Sequence, residues 1–343
     1  MKRLLPFIFL VGLFSASSLL FTSCTKEGPQ GPAGEDGKDA NATCSQCHNF
    51  SDDIVAKIFQ YDASTHATGA LAFENLSSCA ACHTSQGFIE TIGTGADTTA
   101  TTISNPAPIN CRTCHKIHKT YSIDDWSITT AAAFNLRIDK TISIDLQGGD
   151  GSSNLCGRCH QARAVSPWVT NPLGSDSLKA SNDLWGPHNG PQVLIFAGKG
   201  LFEFDTPYGN SSHRDNASCS SCHMTNAVGN ITGGHTWKIS NEEEGDNFSG
   251  CNVEGCHKSA PVTPVWYADK ETAMIAKWNI LRDKLLEKNL IDSTNAITYK
   301  LKHTQKEFAA VWNFRCFLTD RSNGMHNYRY VSDMLDATTA ILE

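Results

Sequence analysis

Alternating apolar and polar positions stand out at one place in this chain of 343 residues. Alternate positions are apolar in residues 134–138 and again in residues 142–146, with the charged pair Asp139 and Lys140 between the two runs. A period of two residues is typical of a strand with one buried face. The pattern therefore predicts a short β-hairpin.

Helical spacing takes over from about residue 268. Met274, Trp278, Leu281 and Leu285 recur at i, i+4, i+7 and i+11 and form one apolar stripe. A second helix is predicted from about 293 to 318, ended by Gly324, and a third from about 327 to 341.

The first residues have the pattern of a leader. Lys2 and Arg3 precede an apolar run over residues 4–20, and small residues lead up to Cys24 as in a lipobox. We expect residues 1–23 to be a lipoprotein signal peptide and Cys24 to be acylated, the alternative being an ordinary secreted signal peptide. Thr25 is not the Asp of the usual inner-membrane retention signal, which favours the bacterial outer membrane, on its periplasmic or cell-surface side.

Six cysteine pairs each end in Cys-His, five as C-x-x-C-H and the sixth with four residues between the cysteines. They are Cys44, Cys47 and His48; Cys79, Cys82 and His83; Cys111, Cys114 and His115; Cys156, Cys159 and His160; Cys219, Cys222 and His223; and Cys251, Cys256 and His257. Two cysteines at this spacing form thioethers to one haem, and the adjacent imidazole reaches the iron. A disulfide framework or zinc ribbons give no reason for His to follow every pair. The motifs predict six covalent haem c groups.

The remaining histidines supply the other axial positions. Seven are left: His66, His118, His188, His213, His235, His303 and His326. Seven histidines are therefore available for six vacant axial positions. Methionine is a poor alternative, because two of the methionines are adjacent to histidines already assigned to iron. We expect bis-histidine ligation of most or all haems. Such iron has no open site for a substrate and exchanges electrons only. His118, three residues after His115, is expected to serve another haem, and His303 to be the spare.

The composition limits the partners. The formal net charge is −7, and haem propionates add to it, so nucleic acid is excluded and we expect redox proteins, other cytochromes or extracellular acceptors. Cys316 lies in an apolar helical context and is expected to be a buried small hydrophobe.

The expected fold class is mainly α with extensive coil and one short β-hairpin, a multihaem cytochrome c fold. Roughly 50 mature residues per haem are too few to bury each porphyrin separately, so the haems form much of the core. We predict a signal peptide over 1–23, an anchor site and collagen-like Gly-Pro tether over 24–43, a hexahaem-binding domain over 44–262, and C-terminal helices packed on it over 263–343.

Several segments resemble the superfamily of the pentahaem nitrite reductases and hydroxylamine oxidoreductases. The resemblance lies in residues 154–163, 186–192, 219–224 with 234–235, and 312–313 with 320–327. It implies that His188, His235 and His326 are distal haem ligands. The chain has no C-x-x-C-Lys motif, which carries the catalytic haem of the pentahaem reductases, so the resemblance transfers no nitrite or hydroxylamine activity.

The leading hypothesis is extracytoplasmic electron transfer by a lipid-anchored protein that is not an enzyme. The alternatives are a multihaem reductase of small nitrogen or similar substrates with one open-site haem, and a subunit of a polymeric cytochrome filament.

Overall fold

The computed structural model describes residues 44, 45, 48, 51–69, 74–146, 148, 151–204, 207–242 and 245–343. It separates a unit of residues 1–46 from a unit of residues 47–343. Of the first unit only Cys44 and Ser45 are described, and Cys44 is exposed. The predicted leader, Cys24 and the tether lie outside the described residues, as does Cys47.

The second unit is mostly helix and coil, as predicted for the fold class. The described residues form the α-helices α1 (Asp52–Asp62), α2 (Ala80–His83), α3 (Ser85–Thr94), α4 (Cys111–Cys114), α5 (Ser152–Gly157), α6 (Gln192–Ala197), α7 (His213–Asn216), α8 (Cys219–His223), α9 (Pro264–Glu287), α10 (Gln305–Asp320) and α11 (Tyr328–Ala340). Short 3-10 turns cover Thr65–Thr68, Ile123–Trp126 and Gly234–Thr236. None of the helices in the described ranges is long and apolar enough to cross a membrane.

The strands form three antiparallel pairs within the described residues. They are β1 (Phe134–Asn135) with β2 (Ser143–Ile144), β3 (Ser177–Leu178) with β6 (His303–Thr304), and β4 (Ser240–Asn241) with β5 (Gly245–Asp246). The first pair is the predicted hairpin, with Phe134 opposite Ile144. Of its alternating apolar residues, Phe134, Leu136, Ile144 and Leu146 are buried and the other two are partly buried. The other two pairs join segments without alternating apolar positions, which is why the sequence indicated one hairpin only.

Three long helices close the C-terminal part. Helix α9 begins where Thr263 accepts a hydrogen bond from the backbone N–H of Trp266, with Pro264 in its first turn. Its predicted stripe faces inward: Met274, Leu281 and Leu285 are buried. Helices α9, α10 and α11 contact one another, so the stripe is covered by the other two helices.

The second C-terminal helix is shorter at its start than predicted. It begins at Gln305 rather than near 293, because Thr304 and Glu307 form a capping box there. Residues 291–297 instead make a turn closed by an Ile291–Ile297 bridge. The helix ends at Asp320, where Arg321 adopts a left-handed conformation with φ of 62°, before the predicted stop at Gly324.

The apolar core is unevenly distributed. Its main cluster is drawn from residues 134–342. Between residues 51 and 133, the described apolar residues that are buried are Ala80, Ala81 and Phe88 alone. A segment of this length needs more buried apolar surface than two alanines and one phenylalanine supply. The same segment carries two of the Cys-His motifs.

Candidate metal centres

Two of the motif helices begin with a capping box, formed by the residue before the first cysteine and the residue before the second cysteine. In α4, Asn110 Oδ1 accepts from Arg112 N at 3.0 Å, and Thr113 Oγ1 accepts from Asn110 N at 3.0 Å. Ser218 and Ser221 repeat this box in α8, at 3.1 and 2.9 Å. The residue before the second cysteine is thus the N3 residue of the capping box. Because the two cysteines of a motif are one helical turn apart, their sulfurs lie on the same side of the helix.

Cysteines of different motifs lie against one another. Disulfide bonds are absent among the described cysteines. The side chains of three cysteine pairs from different motifs lie close enough for each to shift the pKa of the other: Cys82 with Cys159, Cys156 with Cys219, and Cys222 with Cys251. The first contact is nearly symmetrical, since Cys82 Sγ lies 3.9 Å from Arg158 O and Cys159 Sγ lies 3.9 Å from Ala81 O. The second motif therefore touches the fourth, the fourth touches the fifth, and the fifth touches the sixth.

The structure brings the twelve predicted axial histidines together in six pairs. Every pair combines one motif histidine with one from outside the motifs, with ring centroids 6.1 to 6.3 Å apart. We number the pairs by motif: centre 1 is His48 with His118, centre 2 His83 with His188, centre 3 His115 with His235, centre 4 His160 with His66, centre 5 His223 with His326, and centre 6 His257 with His213.

This separation fits one metal ion between two opposed imidazoles. A metal–imidazole bond is about 2.0 Å and the nitrogen lies roughly 1.1 Å from the ring centre, so two trans imidazoles have centroids about 6.2 Å apart. Their planes are free to rotate about the common axis, and the interplanar angles run from 26° to 78°. Within the described ranges, no group of three or more His, Cys, Asp or Glu side chains converges as a zinc site requires. Paired imidazoles with a nearby cysteine pair match haem iron, whose other four ligands come from the porphyrin.

Five of these histidines have a hydrogen-bond acceptor at Nδ1, which leaves Nε2 available to bind a metal. Backbone carbonyls accept in three cases: Trp126 O from His115 at 2.5 Å, Met325 O from His213 at 3.1 Å, and Trp237 O from His223 at 2.9 Å. The side-chain oxygen of Gln192 accepts from His160 at 3.2 Å. Asp320 Oδ1 accepts from His326 at 2.6 Å. Such outer partners fix the ring orientation and the tautomer of a metal ligand.

Burial keeps several of the rings neutral, which ligation requires. It lowers the pKa of His66 to about 4, with His160 as the second cause. The pKa of His235 is also lowered to about 4, first by burial and then by His115. At His326 burial acts in the same direction, but the charge and the hydrogen bond of Asp320 outweigh it, so this pKa is raised.

Two of the histidines outside the motifs have strained backbones. His118 and His188 adopt left-handed conformations with φ of 62° and 68°. The carboxylate of Asp125, which is 3% exposed, accepts hydrogen bonds from Thr120 N at 2.7 Å, Thr120 Oγ1 at 2.8 Å and Tyr121 N at 3.2 Å. It therefore holds the turn that presents His118. Left-handed residues of this kind concentrate at functional sites.

The seventh histidine, His303, is outside every pair. His303 is 7% exposed and its Nε2 lies 2.8 Å from Thr298 Oγ1. It lies in β6 rather than inside the helix where the sequence placed it. Cys316 is fully buried in α10. The sequence did not identify Trp237, Gln192 and Asp320 as hydrogen-bond partners of the paired histidines, because their spacing from a motif does not indicate such a contact.

Comparisons with known proteins give little beyond this geometry. No protein-family model and no curated protein matches the chain. A solved structure described as "Crystal Structure of Outer Cell Wall Cytochrome OcwA" is similar, with a TM-score of 0.49 and 18% sequence identity. The match covers 84% of this chain and 50% of that one, so the chain spans about half the length of that cytochrome.

Proposed function

We propose that this chain is an extracytoplasmic electron-transfer protein that carries six covalent c-type haems, each ligated by two histidines. The observation that supports it best is the set of six histidine pairs, all with ring centroids 6.1 to 6.3 Å apart and each beginning at a Cys-His motif. One random pair at a metal-bridging distance would mean little. Six such pairs, with the seventh histidine outside all of them, indicate that the same kind of metal centre is repeated six times.

The chain's own residues determine what such haems do. When bound, each haem supplies one-electron chemistry at its iron. The paired imidazoles would hold the iron and leave no open position for a substrate, while the cysteines of each motif would attach the group covalently. The carbonyl and side-chain acceptors at Nδ1 keep the rings in place, so little rearrangement accompanies a change of charge.

The contacts between motifs give the proposed order of electron flow. Sulfur contacts connect centres 2 and 4, 4 and 5, and 5 and 6. Trp237 connects centres 3 and 4, since its ring lies 5.5 Å from His235 and 4.6 Å from His66. Centres 1 and 3 are neighbours because His115 and His118 are three residues apart in the chain. Centre 4 is then a junction, with centres 1, 2 and 6 at the ends.

Two of these ends reach the surface. At centre 1, the ring of Tyr121 stacks on His118 at 5.6 Å and is 61% exposed. At centre 6, Trp266 lies 5.8 Å from His257 and is 40% exposed. Exposed aromatic rings in contact with a ligand are suitable points for electron exchange with redox proteins, other cytochromes or extracellular acceptors. We further propose a lipid anchor at Cys24 and a place at the bacterial outer membrane.

The test is the state of the irons in the full-length protein. If all six are bis-histidine, the oxidised protein gives low-spin signals only in electron paramagnetic resonance, and the reduced protein does not bind carbon monoxide. The alternative, a reductase with one open-site haem, requires an exchangeable position. About one high-spin, carbon monoxide-reactive haem per chain in the wild type would overturn the carrier proposal and favour that reductase.

A further inference from the structure

A buried carboxylate lies behind the axial ligand of centre 5. The side chain of Asp320 is 1% exposed, and its Oδ1 accepts from Nδ1 of His326 at 2.6 Å. The other oxygen, Oδ2, accepts from the Ser322 hydroxyl and lies 3.4 Å from Ser322 N. Ser322 Oγ in turn accepts from His326 N at 3.2 Å. The carboxylate is therefore oriented on one side by Ser322 and directed at the imidazole on the other.

The other described Nδ1 hydrogen bonds of the axial histidines end on neutral oxygens, either backbone carbonyls or the amide of Gln192. A second carboxylate lies near a ligand at centre 2, where Glu74 Oε2 is 3.3 Å from His83 Nδ1. That contact is longer, and the side chains of Glu74 and His83 are 19% and 35% exposed, although the Oε2 atom itself is buried and makes no hydrogen bond. Solvent screens such a charge more than it screens Asp320.

We propose that Asp320 is a positioning residue that lowers the reduction potential of centre 5, an inference that rests on the proposed function. A carboxylate that accepts a hydrogen bond from Nδ1–H makes the imidazole a stronger electron donor to the iron, and its buried negative charge favours the ferric over the ferrous ion. The step concerned is the addition of one electron to ferric iron, with no bond broken. Centre 5 stands between centres 4 and 6, so electrons on that branch cross a site that holds them weakly.

The test compares Asp320→Asn with Asp283→Asn in the full-length holoprotein. Both changes remove one negative charge and keep the shape, but Asp283 is on α9 with a side chain 75% exposed. A redox titration followed by optical absorption and electron paramagnetic resonance resolves the individual haems. For Asp320→Asn we expect the reduction equilibrium constant of one haem to rise at least tenfold, about 59 mV for one electron, and the other five to keep theirs. Asp283→Asn should leave all six unchanged.

A third variant distinguishes an effect of Asp320 on the reduction potential from a purely structural role in holding His326. Ser322→Ala keeps the charge of Asp320 but loosens its orientation, so it should shift the same haem in the same direction by less. Potentials in Asp320→Asn that match those of Asp283→Asn would overturn the inference. So would a high-spin haem in Asp320→Asn without a shift in Ser322→Ala, because Asp320 would then only hold His326 in place. Failure of the proposed function is seen separately, in the spin state of the wild type.

Discussion

The ligation at centre 1 can be tested with little disturbance of the fold by His118→Gly. His118 is exposed and adopts φ of 62°, a conformation that costs a non-glycine residue roughly 1–2 kcal/mol and costs glycine almost nothing. The substitution therefore removes the imidazole while it relieves backbone strain. Because each of the six pairs shares no histidine with another, one iron of the six loses its second axial ligand.

The assay is carbon monoxide titration of the reduced protein, with haem counted on the same sample. We expect about one carbon monoxide per chain in His118→Gly, one high-spin haem of the six when oxidised, and a return to low spin with added imidazole. His303→Asn is the matched control, because it removes a histidine that belongs to no pair and should bind no carbon monoxide. A fully low-spin His118→Gly protein, or a carbon monoxide-reactive His303→Asn protein, would show that the six pairs are not the ligand sets.

Three further results are expected. A pyridine haemochrome assay should find six covalent haems per chain, and a count of five would mean that the motif with four residues between its cysteines is empty. Asp125→Ala should make centre 1 partly high-spin, because it releases the turn that presents His118. The control is Asp124→Ala, which changes an exposed neighbour and should leave centre 1 low-spin. Equal spectra for the two variants would contradict the role of Asp125 in holding this turn. Cys24→Ser should release the protein from membranes, and unchanged fractionation would count against the lipid anchor.

The sequence was sufficient to identify the candidate ligands because their chemistry is local. A motif histidine follows its cysteine directly, and counting the remaining histidines leaves one more than the axial positions require. The hairpin over residues 134–146 and the stripe from Met274 to Leu285 were also readable, because a strand or helix with one buried face repeats its apolar residues at a fixed spacing.

Which histidine pairs with which could not be predicted from the sequence. His66 meets His160 and His213 meets His257, whereas His118 meets a motif histidine that precedes it by seventy residues. No rule of spacing links such partners, because the path of the chain between them decides which two rings meet. The contact of Asp320 with His326 could not be predicted for a related reason. Its carboxylate reaches His326 Nδ1 because α10 ends at Asp320, with Arg321 in a left-handed conformation.

The uneven core gives the paired histidines a second role under the proposed function. Residues 51–133, where described, bury three apolar residues, too few to offset the conformational entropy lost when such a segment is ordered. Haems attached to the motifs there would add apolar surface to that segment. Each iron would also join chain positions far apart, such as His115 with His235 and His66 with His160. A link of this kind restricts the unfolded chain as a disulfide does. The ligands that close the iron to substrates would then also hold residues 51–133 in place, and this segment would depend on bis-histidine ligation for its fold as well as for electron transfer.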